Sequence, residues 1–179
     1  MIERTTRLKG DAVATRDEAI ANELLAYEYM LDALANELDM YIALKQDAPG
    51  RAWTHLVNAQ MAASHAVKAH EVAARLELLY IPRLHALERL CFPKQVFASV
   101  SFIVEESECS ICHAAYGECD HIKGRPYMGE LCARIVTKCD VQEVSLVEEP
   151  ASKHCRLTAV SDEDGVMRDP LSLEQLREE

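Results

Sequence analysis

A chain of 179 residues suits one ordinary domain or two small ones and is too short for a large multidomain enzyme. Its 49% hydrophobic and 27% charged residues are the composition of a globular protein, which excludes wholesale disorder. Nineteen Lys and Arg against thirty Asp and Glu leave a net charge of −11, unsuited to gripping phosphate backbones, so nucleic acid is not an expected partner. Most of that acidity lies late: residues 1–94 carry 11 basic and 13 acidic side chains, residues 95–179 carry 8 and 17. No apolar run approaches the length of about 18 residues needed to cross a bilayer, so no membrane partner is expected. Residues 1–19 show no apolar segment behind their basic residues, so no export signal is expected. The seven cysteines are an odd number, which argues for a reducing, cytoplasmic setting over a disulfide framework.

Two long helices are expected first. Ile20, Leu24, Tyr27, Leu31, Leu34, Leu38 and Tyr41 alternate spacings of four and three, the seam of a coiled coil. Neither Gly nor Pro interrupts Asp11–Ala48, and Asp47-Ala48-Pro49-Gly50 then marks the break, with Gly50 permitting a reversal. The second helix is expected from about Arg51 to Tyr80, with a seam of small residues at Ala59, Ala62, Ala66, Ala69, Ala73, Leu76 and Tyr80. A short loop makes such a pair antiparallel, so the large residues of helix one are expected against the alanine surface of helix two. Pro82 opens a short third helix, which ends near Cys91 before Pro93. Leu25, Met30, Ile42, Leu56, Val57, Met61 and Val67 fall outside the seams. They either complete a bundle with the third helix or pack on another copy or another protein, and the chain is expected to be an oligomer or a docking subunit.

From Gln95 the period changes to two. Val96, Ala98, Val100, Phe102 and Val104 alternate as a strand, and Leu131–Thr137, Val141–Val147 and His154–Val160 read as three more. Turns are marked at residues 123–126, 138–140 and 149–150. Residues 161–179 read as an acidic tail.

The chemistry is concentrated between residues 109 and 132. Cys109 and Cys112 form a knuckle whose two thiolates can reach one ion, and Cys119 and His121 follow after the chain reversal that Gly117 permits. Three sulfurs and one nitrogen suit tetrahedral Zn2+, and four protein ligands leave no position for a reactive water, so the expected zinc is structural. Cys132 competes for a ligand place if a strand brings it back, with His113 a weaker competitor; Cys91, Cys139 and Cys155 read as small apolar residues. Solvated or core positions are expected for His55, His65, His70 and His85.

The knuckle pairs, then Tyr127, Gly129 and Cys132, then Glu143-Val144-Ser145-Leu146-Val147 with Pro150-Ala151, resemble a segment of tailed-phage head-morphogenesis proteins of the prohead-protease type. The resemblance covers residues 109–157 and not the helical half, and His113 stands where glycine is expected. It implies an assembly role, with a prohead-type serine protease or its inactive relative as the alternative. For catalysis, Ser99, Ser101 and Ser145 lie on expected strands, with His154 the nearby histidine outside the knuckle. A further alternative is a knuckle that binds nucleic acid through Lys123 and Arg125.

The expected fold class is therefore α+β: an N-terminal antiparallel long-helix hairpin with its short third helix at 1–94, a small zinc-stapled β domain at 95–160, and the tail at 161–179. The expected function is a non-enzymatic, zinc-binding protein–protein interaction or assembly subunit, which oligomerises with itself or docks on a protein partner through the helices.

Overall fold

Thr15 and Asp17 interrupt the first expected helix although no Gly or Pro is present. In the computed structural model, which describes residues 1–162 and 164–175, α1 spans Ile2–Ala14 and α2 spans Glu18–Lys45. The Thr15 hydroxyl donates to the carbonyls of Asp11 and Ala12, and Asp17 Oδ1 accepts from the Ile20 N–H at 3.1 Å. Short polar side chains that bond to nearby backbone compete with helix propagation and then cap the next helix. The second break also differs from expectation. Asp47, at φ 54°, takes the left-handed position, while Gly50 lies inside α3, Pro49–Ala69, with Pro49 in its first turn.

The expected continuous helix to Tyr80 is corrected as well. At His70 the backbone is extended, and the imidazole Nδ1 accepts from the Val72 N–H at 3.2 Å. A 3₁₀ turn at Glu71–Ala73 and a π-helical turn at Leu76–Tyr80 lead into α4, Ile81–Cys91. The helical pair thus has arms of 28 and 21 residues instead of two of about 30.

α2 and α3 run antiparallel, with Tyr29 edge-on to His65 and Asn36 hydrogen-bonded to His55. The alanine surface of α3 is buried: Ala52, Ala59, Ala62, Ala63, Ala66 and Ala69 all lose their solvent. What meets it is not the leucine seam. Leu25, Ala26, Ala33, Met40 and Ala43 of α2 are buried there, while Ile20, Tyr27, Leu34, Leu38 and Tyr41 face solvent, with Leu38 63% exposed. The narrower, alanine-bearing face of α2 can approach the alanine face of α3 more closely than a row of leucines could. Glu37 on this buried face is held by Arg83 of α4.

The expected four-strand sheet is a two-stranded ribbon. β1, Phe97–Cys109, pairs antiparallel with the last long strand, Arg134–Val147, from Phe97 opposite Val147 to Cys109 opposite Arg134. The expected turn at 138–140 lies inside that second strand: Lys138, Cys139 and Asp140 stand opposite Glu106, Val104 and Ile103, and register shifts along β1 absorb the irregularity. Between the two strands, β2 (Pro126–Tyr127) and β3 (Glu130–Leu131) form a small hairpin, so the long strand is β4. Residues 154–160 do not form the expected continuous strand; a 3₁₀ turn at Lys153–Cys155 is followed by a single bridge from Arg156 to Phe97, and of these residues Val160 alone joins a strand. At the start of the expected tail, β5 (Val160–Ser161) pairs with β6 (Met167–Arg168), and Asp162 accepts from the Val166 N–H and from Arg168 Nε.

Two buried clusters hold these parts together. In one, Trp53 stacks edge-on against Phe92 and packs beside Phe97, with Met40, Leu56 and Leu84 beneath and Val147 against it. In the other, Leu25, Ala26, Ala66 and Ala69 receive Leu131 from β3. The first seats the base of the ribbon on the helices, and the second seats the connection between its strands. Among the described residues no helix is long and apolar enough to cross a membrane.

Candidate metal centre

Cys109 ends β1, and the chain turns immediately after it. The Ile111 N–H donates to Cys109 Sγ at 3.4 Å and the His113 N–H to the Cys109 carbonyl at 2.9 Å, with His113 at φ 59°. A left-handed residue is required where the knuckle closes, which is why glycine is favoured at such a place and why histidine there is strained. Tyr116 N–H then returns to the Ser107 carbonyl, and Gly117, at φ 105°, reverses the chain as its position predicts. That reversal brings Cys119 and His121 to the knuckle.

The ligand atoms of Cys109, Cys112, Cys119 and His121 all lie within 4.8 Å of one another. Tetrahedral ligands at about 2.3 Å from a central ion stand roughly 3.8 Å apart, so the four converge at nearly the spacing a metal requires. His121 is edge-on to Tyr127 with ring centroids 4.6 Å apart, and its Nδ1 is buried with no hydrogen-bond partner among the described residues. A buried ring nitrogen without a partner is costly unless its lone pair or proton is used otherwise. The residues therefore fit a metal ion on both geometry and donor chemistry.

The thiols differ electrostatically. Burial pushes Cys109 up, but the Cys112 and Ile111 N–H groups, together with the neighbouring thiols, outweigh it and bring its pKa down to about 6. The His121 N–H lowers Cys119, but burial and the Cys112 and Cys109 thiols leave it raised overall. Cys132 is buried, and burial, reinforced by Cys109, pushes its thiol up. Its Sγ lies 3.8 Å from Cys109 Sγ, yet it is not among the four mutually close ligand atoms. His113 is directed away, 3.4 Å from Glu108 and largely exposed.

The connection is fastened to the helices by its β2–β3 hairpin. Met128 and Gly129 both take positive φ, the two-residue turn that fits the twist of paired strands. The Gly129 N–H donates to Asn22 Oδ1 at 2.8 Å, and a Cβ at Gly129 would meet Lys9 Cδ at 3.1 Å and Ala21 Cβ at 3.5 Å. Glycine is needed here both for its backbone and for the close approach to α2. Asn22 gave no local sequence signal for this task, because its partner lies 107 residues away.

The other chemical candidates are not assembled. Ser99 and Ser145 face each other across the ribbon, Ser145 Oγ donates to Glu143 at 3.3 Å, and no hydrogen bond joins Ser145 to His154 among the described residues. His55 and His70 are occupied by Asn36 and by Val72. His85 lies 3.6 Å from Glu88, and burial together with Lys68 holds the pKa of His65 below its ordinary value. Comparison with protein-family models, curated proteins and solved structures gave no match to this chain.

Proposed function

We propose that the chain is a non-enzymatic docking subunit whose outward α2 face receives an apolar helix of another protein, while a structural Zn2+ ion fixes the connection between β1 and β4. The observation that carries this reading is the exposure of Ile20, Tyr27, Leu34, Leu38 and Tyr41 along one side of α2. A stripe repeated at about 3.5 residues over three heptads is the pattern that pairs with another helix, and contiguous apolar surface of that length marks interfaces. Three thiolates and an imidazole favour zinc over the hard oxygen-seeking ions, and a closed set of four suits a structural ion. In this role Cys109 and Cys112 hold one side of the ion and Cys119 and His121 the other. The ion then cross-links a loop that Gly129 and Leu131 attach to α2 and its neighbours. The resemblance of residues 109–157 to head-morphogenesis segments also favours an assembly role.

The test is the composition of the complex isolated under native conditions. The wild-type chain is expected to carry a second polypeptide that the Leu34→Asp, Leu38→Asp chain lacks. The helical circular dichroism of the variant should stay unchanged, because both side chains are solvent-facing. A second polypeptide retained undiminished by the double variant would refute docking on α2.

A further inference from the structure

From Ala98 to Val104 and their partners on β4, the ribbon has one face of uncharged side chains. Its register sets Ala98 opposite Leu146, Val100 opposite Val144, Phe102 opposite Val141 and Val104 opposite Cys139, and the alternation of side chains puts these four pairs on one side. The other side carries Ser99 with Ser145, Ser101 with Glu143 and Ile103 with Asp140. This is the pattern of a sheet with one buried and one wet face, yet its apolar side is open: Val144 is 63% and Leu146 68% exposed, with Val100, Phe102 and Val141 also exposed. The ribbon is buried only where Phe97 meets Trp53 and where Cys109 enters the metal loop. A two-stranded ribbon is marginal in water unless another layer covers it.

We infer that this face is a docking surface for a second copy of the chain, the two ribbons packing face to face as a four-stranded sandwich. Area and charge both point to a copy. The exposed parts of these eight side chains amount to on the order of 500 Å² per chain, so pairing two removes roughly 1,000 Å², the size at which specific interfaces begin. With a net charge of −11, most of the surface of one chain repels another. The four apolar pairs carry no charge, and a two-fold contact sets a surface against itself, so this face can meet its own copy without like-charge opposition. Layers of this kind pack about 10 Å apart with interdigitating aliphatic side chains. The inference goes beyond the α2 reading and does not depend on it, since a different element forms the contact.

The experiment uses the full chain with its metal, free of other proteins. Light scattering at high micromolar concentration is expected to give the mass of two chains. Val100→Lys with Val144→Lys should return it to one chain, whereas Ser101→Lys, on the opposite face, should not. A reading without substitutions guards against misfolded variants. Cys139 lies on the apolar face and Cys155 off it, and both are exposed in the single chain. Alkylation of Cys139 by iodoacetamide should slow several-fold as concentration rises from low to high micromolar, while that of Cys155 should not change. A one-chain mass with concentration-independent alkylation of Cys139 would overturn the inference. So would a two-chain mass that survives the valine double variant and is lost in Leu34→Asp with Leu38→Asp, which would place self-association on α2 instead.

Discussion

Glu88 lies between Lys153 and Gln60, accepting from Lys153 Nζ and, at 2.7 Å, from Gln60 Nε2. Burial raises its pKa, but the hydrogen bonds from Lys153 and Gln60 outweigh this and leave it lowered from its ordinary value of 4.5. A carboxyl lowered in the folded state stabilises the fold at pH values above its ordinary range. That contribution is lost as pH falls through the depressed folded value. Glu88→Gln is therefore expected to cost about 1–3 kcal/mol at neutral pH, because Lys153 keeps its charge and loses the carboxylate that opposes it. Thermal melts should also show the stability difference from wild type narrowing as pH falls below the ordinary value of 4.5. An unchanged difference across that range would contradict the assignment. At the same scale, the clustering of the three cysteines with His121 was legible in the sequence because its spacing is local: Cys109 and Cys112 share one turn, and Gly117 supplies the reversal. The contact of Cys132 with Cys109 was only half legible, since it depends on β4 pairing back along β1. Glu88 and Lys153 lie 65 residues apart and left no local trace.

The helices show where periodicity was a poor guide. Both sides of α2 are apolar, one with large residues at heptad spacing and the other with Ala26, Ala33, Met40 and Ala43. A sequence pattern identifies both stripes but does not rank them. Closeness of approach to the alanine face of α3 ranks them, and that depends on the partner helix. The start of α2 was likewise hidden, because a short polar residue in a helix-forming run reads as a neutral position until it caps. Asp17→Ala is expected to lower stability by about 1 kcal/mol and fray the first turn of α2, measurable as faster amide exchange at Ile20 and Ala21. Unaltered exchange there would show that the cap contributes nothing. In the ribbon, the polar run Lys138-Cys139-Asp140 looked like a turn, but cross-strand pairing carried it through as strand. The alternation of Ala98 to Val104 predicts the strand, although among the described residues no layer covers its apolar side.

At the scale of the molecule, α1–α4 form a helical layer that carries a long ribbon seated at both ends. Trp53, Phe92 and Phe97 seat the base. The loop between β1 and β4, through Gly129 on Asn22 and Leu131 on Leu25 and its neighbours, seats the other end. The residues between Cys109 and Cys132 contain only two short strands and otherwise turns, so little apolar burial orders them. A bound ion that joins Cys109 and Cys112 to Cys119 and His121 would supply that order directly, since metal binding to a site absent from the unfolded chain adds its free energy to folding. On this account the ion is what allows the loop to hold its hairpin against α2. The measurement that bears on it most directly is native mass spectrometry of the chain purified without chelator, with the mass increment identifying the metal. One zinc ion per chain is expected, lost when Cys112 is replaced by Ser. Zinc below about half an equivalent, or a full equivalent retained by Cys112→Ser, would contradict it.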